Sequence, residues 1–198
     1  MRITLGNKLF LAPIDKPKRI LDIGTGTGIW AIEMGDEYPD AQIIGTDLAP
    51  TQPTWVPANV KFEIDDAEEP WTFQHKFDYV HVRYLTAAIV DWPKLVRQAY
   101  DATEPGGWAE FADFNLKFYS EDGSLKEEQH LQKWITYFLN AAEDFGRDPS
   151  PGSKLEGYMK EAGFEDVQHE KYRMPIGPWP KDKHLVRYIP INQAVSFE

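Results

Sequence analysis

The sequence predicts an α/β domain with a mainly parallel central sheet and helices on both faces. Three observations predict it. Strand-like and helix-like segments alternate along the chain, the trace that parallel strands joined by crossover helices leave in a sequence. The stretch Arg19 to Gly28, R-I-L-D-I-G-T-G-T-G, runs from an apolar strand straight into three alternating glycines. Gln42 to Thr46 is a continuous apolar run of the kind found in strands covered on both faces.

Taken in order, a short helix is expected around Thr4 to Phe10 and the first strand over Arg19 to Ile23. The helix after the glycines runs from about Thr27 to Glu37 and stops near Tyr38-Pro39. The second strand is Gln42 to Thr46, and the proline-rich stretch Pro50 to Pro57 is too interrupted for a full helix. Val60 to Ile64 and Phe77 to Val82 give strands three and four. Asp91 suits a helix N-cap with Pro93 just inside, and Leu95, Val96, Ala99 and Tyr100 follow at helical spacing. The turn Pro105-Gly106-Gly107 ends that helix and launches the fifth strand, Trp108 to Phe114.

Beyond it, Ser124-Leu-Lys-Glu127 has the form of a capping box, and Leu131, Trp134, Ile135, Phe138, Leu139 and Ala142 trace one helix face. That stripe reads first as plain core, with Trp134 and Phe138 as candidates to face a flat organic substrate. A last helix is expected over Ser153 to Ala162 and a sixth strand over Glu165 to Met174. No internal repeat or low-complexity tract is visible.

Composition bounds the function. The 198 residues suit one domain, 1–198, with a cofactor half over about 18–115 and substrate-side helices and C-terminal part over about 116–198. A net charge of −11 without a Lys/Arg cluster argues against a nucleic-acid partner. No apolar run reaches membrane-spanning length, and the first residues lack a basic start followed by an apolar stretch. A cytoplasmic or nuclear protein, not secreted and without a membrane partner, is expected. With no cysteine, disulfides and thiolate metal ligands are excluded, and no metal site is expected.

The candidate site grows from the glycines. Gly24, Gly26 and Gly28, with Thr25 between them, make a turn whose backbone can approach a nucleotide-type cofactor closely. The dinucleotide spacing G-x-G-x-x-G would require glycine at position 29, where Ile29 stands, so an NAD-linked oxidoreductase is disfavoured. Asp47, with Leu48 beside it, comes right after the second strand, where a carboxylate can accept from both hydroxyls of a ribose.

The pattern Asp22-x-Gly24-x-Gly26-x-Gly28 resembles motif I of the class I S-adenosylmethionine-dependent methyltransferases. Asp65-Asp66-Ala67-Glu68-Glu69-Pro70-Trp71 is similar to their G-D-A-E-x-L-P-F segment, and Glu104-Pro-Gly-Gly107 to the turn before their fifth strand. L-D-I-G-T-G-T-G-I-W, Tyr79-Val-His-Val-Arg-Tyr84 and Pro175-Ile-Gly-Pro-Trp-Pro180 further resemble the fungal LaeA-like methyltransferases, which are linked to secondary metabolism as velvet-complex regulators or as small-molecule tailoring enzymes.

The resemblance implies a Rossmann-like class I methyltransferase fold, S-adenosylmethionine as cofactor and S-adenosylhomocysteine as product. It places adenine recognition on Asp66 and Ala67. Asp65 stands where the family has glycine, which leaves open which aspartate serves. Trp71 reads as core. Arg83, just past the fourth strand, is placed to meet the methionine carboxylate. The implied function is methyl transfer to a small organic acceptor, at oxygen; the alternative is a cofactor-binding regulatory subunit with little turnover.

No catalytic residue is assigned. Methyl transfer from a sulfonium needs a general base only where the nucleophile must lose a proton, and His81, His75 and His130 are the candidates, each also readable as a packed or surface histidine. The family's seventh strand would fall in Gly177 to Glu198, where Ile189 to Phe197 offers a poor strand or none. If it is missing, a sheet edge at the C-terminal side invites a second copy or another partner.

Overall fold

The computed structural model describes residues 8–174. They fall into two units, 12–167, which contains every helix and strand, and a second one comprising 8–11 and 168–174. In the first, strands β1 (Arg19–Ile23), β2 (Gln42–Asp47), β3 (Val60–Ile64), β4 (Phe77–Arg83) and β5 (Thr103–Ala112) form one sheet in the order β3-β2-β1-β4-β5. Every pairing is parallel, and β1 at the centre sets Ile20 opposite both Ile43 and Tyr79. The chain therefore leaves β1, winds to one side through β2 and β3, and returns across β1 to β4. That reversal opens a crevice at the carboxyl ends of β1 and β4, the usual ligand position in such sheets.

Side-chain alternation distributes the core. Leu21, Ile23, Val80 and Val82 form one buried cluster with Trp92, Leu95, Val96 and Ala99 of helix α2 (Trp92–Ala102) and with Leu155 and Ala162 of helix α4 (Leu155–Ala162). On the opposite face Tyr79 and His81 meet Trp30 of helix α1 (Ile29–Glu37). Fully burying one such aliphatic side chain stabilises by about 1.5–3 kcal/mol. A few of them outweigh the roughly 1–3 kcal/mol that a strained loop residue costs.

Helix α2 starts as expected: the Asp91 carboxylate accepts from the Lys94 N–H at 2.9 Å, and Pro93 occupies the first turn. Among the described residues no helix is long and apolar enough to cross a membrane.

Several expectations give way. Strand β5 begins at Thr103, because the Pro-Gly-Gly turn is absorbed into it: Phe77 pairs with Thr103 and Tyr79 with Trp108, so 104–107 bulge out of register. Its end falls at Ala112, where Asp113 turns to other partners. Glu165 to Met174 form no strand. The segment is exposed apart from Val167, carries five charged side chains, and offers no apolar face for a sheet to bury.

The capping box at Ser124 does not cap. Its N–H bonds to Asp122 Oδ1 in a turn, and helix α3 (His130–Asp144) starts after Gln129, whose side chain instead accepts from the Lys126 N–H. Helix α4 is preceded by a single 3-10 turn, Pro151–Ser153. Residues 8–10 of the expected first helix are not helical; its earlier part and the segment 177–198 lie outside the described residues.

Candidate functional site

The three turn glycines adopt left-handed φ of 67°, 58° and 76° at Gly24, Gly26 and Gly28. Such values strain any residue with a Cβ. The space around them differs. A Cβ on Gly26 would meet nothing within 4 Å, so the turn is open there; one on Gly28 would strike the Phe62 ring, and one on Gly45 would reach the same ring at 2.8 Å. Thr25 ties the turn to the sheet through its N–H to the Thr46 carbonyl, 2.9 Å, and its carbonyl accepts from the Gly28 N–H at 3.0 Å.

Beneath the turn lies a buried polar pair. Asp22, 3% exposed, accepts from the Thr25 hydroxyl at 2.6 Å on one oxygen and meets His81 Nδ1 at 2.7 Å on the other. His81 is 2% exposed, and its ring stacks on Trp30 with centroids 3.7 Å apart. Of the candidate bases, then, His81 faces the packed interior, while His75 and His130 are exposed, the latter as the first residue of α3.

Asp47 sits at the mouth of the crevice. Its Oδ2 accepts from the Gly26 N–H at 2.7 Å and its Oδ1 from the Ala49 N–H at 3.0 Å. Each carboxylate oxygen keeps a second lone pair, enough for the two hydroxyls of a ribose. Leu48 beside it is 69% exposed and, with Ile64 at the end of β3, presents apolar surface at this same end of the sheet. Asp66 accepts from the Glu68 N–H at 2.9 Å and Asp65 from the Asp66 N–H at 2.9 Å, which folds the segment into a tight turn after β3. The Ala67 carbonyl accepts from Trp71 Nε1 and Gln98 Nε2, and Trp71 packs against the core as expected.

Sequence reading missed four contributors. The Thr51 hydroxyl and the Gln52 amide both donate to the Gly26 carbonyl, at 2.9 and 2.6 Å, fastening the proline-rich connection to the turn. Leu85 packs where a Cβ of Gly24 would stand. Asp113 accepts from the Leu85 N–H at 2.7 Å, from the Phe114 N–H at 2.7 Å and from the Thr86 hydroxyl. None had a signal beyond residue type, since, apart from the bond between neighbours Asp113 and Phe114, each contact joins segments far apart in the chain.

The exit of β4 is strained. Tyr84 and Ala87 hold φ of 60° and 57°, and Tyr84 stacks on Phe114 at 4.6 Å. Arg83 is half-buried with its guanidinium 5.7 Å from the Tyr84 ring centroid. Burial pushes the Asp113 carboxyl above its ordinary range, and the hydrogen bonds from Thr86, Phe114 and Leu85 oppose that shift.

Trp134 and Phe138 are not core. Trp134 is 52% exposed, the two rings stack on each other at 6.1 Å, and only Ile135 and Ala142 of α3 are buried.

The turn, the carboxylate that ends β2 and the acidic turn after β3 thus converge at one end of the sheet, where they could hold an adenosine-bearing cofactor. There the backbone at Gly26 is open, the Asp47 carboxylate bonds to it, and Leu48 is exposed. A family profile described as a methyltransferase domain matches residues 4–169.

Among curated proteins the chain is similar to methyltransferase pytC of Aspergillus terreus, 45% identical over 91% of this chain and 56% of that protein. It is also similar to the secondary metabolism regulator laeA of Aspergillus flavus, 35% identical over 89% of this chain and 48% of that one. The chain therefore spans about half the length of these relatives. Among solved structures, phosphoethanolamine N-methyltransferase 2 of Haemonchus contortus, in complex with S-adenosyl-L-methionine, shares the fold with a TM-score of 0.58 at 23% identity, over 79% of this chain and 35% of that one.

Proposed function

Because the chain belongs to the methyltransferase domain family, we propose that it binds S-adenosylmethionine and transfers the methyl group to a small organic acceptor, at oxygen. The observation that carries the cofactor reading is the Asp47 carboxylate bonded to the open Gly26 backbone at 2.7 Å. The cofactor supplies a sulfonium-activated methyl, so the protein's task is positioning for in-line attack.

The residues divide that task. Gly24, Gly26 and Gly28 let the backbone approach, and Asp47 accepts from the ribose. Leu48 covers the adenine while Asp65 or Asp66 with Ala67 reads its edge, and Arg83 meets the methionine carboxylate. Among the described residues Arg83 has no carboxylate partner, which leaves its charge available. Relatives named for methylation and for regulation of secondary metabolism support a small organic acceptor, and the absence of cysteine suits a reducing cytoplasm or nucleus.

A second reading, a cofactor-binding regulatory subunit, is favoured by the relatives named as regulators. Calorimetric titration with S-adenosylmethionine, S-adenosylhomocysteine and NAD, beside an Asp47→Ala variant, tests the cofactor site. Micromolar binding of the first two that the variant weakens about tenfold or more is expected; a folded chain that binds none, or prefers NAD, rejects it. Release of S-adenosylhomocysteine with acceptor-containing extracts separates enzyme from subunit.

A further inference from the structure

We propose that His81 is a positioning residue: through Asp22 it holds the glycine turn in its cofactor-binding shape, and it is not the general base. The inference rests on the cofactor reading above and deepens it.

A carboxylate as buried as that of Asp22 requires proton donors to compensate its lost hydration. Two are present, one on each oxygen. The Thr25 hydroxyl, at 2.6 Å, belongs to the turn itself, and His81 Nδ1, at 2.7 Å, belongs to β4. Since the carboxylate can only accept, the hydrogen between Asp22 and His81 resides on Nδ1. Trp30 from α1 lies parallel to the imidazole at 3.7 Å, an interplanar angle of 6°, and fixes the plane in which Nδ1 points.

Three elements that border the crevice, β1, β4 and α1, therefore meet on one ring. Through Asp22 the ring reaches Thr25 of the turn, whose N–H and carbonyl already brace the turn on Thr46 and Gly28. Without the Nδ1 donor, Oδ1 of Asp22 is a buried acceptor with no proton; the carboxylate is then free to rotate off the Thr25 hydroxyl, and the turn loses that brace. Burial at 2% exposure also keeps the imidazole from an acceptor's hydroxyl, which is why a base role does not suit it.

The test compares His81→Phe, which keeps a ring against Trp30 but has no donor, with His81→Asn, whose amide can place a donor near the Nδ1 position. Amide hydrogen exchange at 24–28 is read without any ligand, and S-adenosylhomocysteine affinity is read by calorimetry. The expected result is faster exchange confined to 24–28 and affinity weakened about tenfold or more in His81→Phe, with both largely restored in His81→Asn.

Exchange at 24–28 unchanged in His81→Phe overturns the proposal, as does equal loss in both variants that follows a fall in thermal midpoint. Should the wild type bind no S-adenosylhomocysteine, the cofactor reading fails by itself; the exchange result still decides whether His81 braces the turn.

Discussion

At the scale of single residues, the site is a set of local costs held in place by neighbours. Ala87 holds a φ of 57° with its N–H bonded to the Asp148 carbonyl at 3.1 Å, so its backbone is fixed in a region that favours glycine. Ala87→Gly is expected to raise the unfolding free energy by about 0.5–1 kcal/mol, read by chemical denaturation.

Asp113 carries a pH signature. Its folded pKa lies above the ordinary carboxyl value, mainly through burial, so the folded state holds that proton more tightly than the unfolded chain does. The corresponding stability is complete below the unfolded pKa and is lost as pH rises through the folded one. Compared with Asp113→Asn, the wild type should therefore become progressively less favoured as pH climbs from about 4 toward neutrality. Denaturation curves across that range measure the difference, and a constant gap would refute the assignment.

At the scale of elements, strands β1 and β3 begin and end where the sequence placed them, because apolar runs bounded by turn residues leave little choice of register. The cap of α2 was equally legible, since Asp91 needs only the backbone three residues ahead. Asp91→Ala should lower stability by about 0.5–2 kcal/mol, visible as a lower thermal midpoint.

Elements failed where a competing local partner, or the surroundings of a face, decided the outcome. Ser124 matches a capping pattern, yet Asp122 takes its N–H first. The segment after α4 resembles a strand only until its exposure and charge are considered together. The stripe on α3 has helical periodicity, but periodicity does not say what the face meets, and Trp134 meets Phe138 rather than the sheet. The cofactor turn was readable because its glycines are local necessities; Leu85, Gln52 and Asp113 were not, because their roles exist only once β4, β5 and the connection after β2 are folded together.

At the scale of the whole molecule, a net charge of −11 places an excess of like charge on a chain of 198 residues. Self-repulsion of that kind opposes compactness and is screened within a Debye length of about 10 Å at 0.1 M salt. The thermal midpoint should therefore rise when sodium chloride is increased from about 0.01 to 0.2 M, and a falling midpoint would show that ion pairs such as Lys154 with Asp148, 2.9 Å, outweigh the repulsion.

One ring also joins the glycine turn to the sheet. Phe62 of β3 fills the space that a side chain at Gly28 or at Gly45 would need. Positions 45 and 62 therefore constrain each other: a side chain at 45 needs a smaller residue at 62 and a shifted Thr25, whereas the φ of 76° keeps glycine at 28 whatever stands at 62. Among descendants of a common ancestor a side chain at 45 should therefore appear only where 62 is small, while 28 stays glycine, and the joint record of these sites across species would reveal how long this turn has kept its present shape.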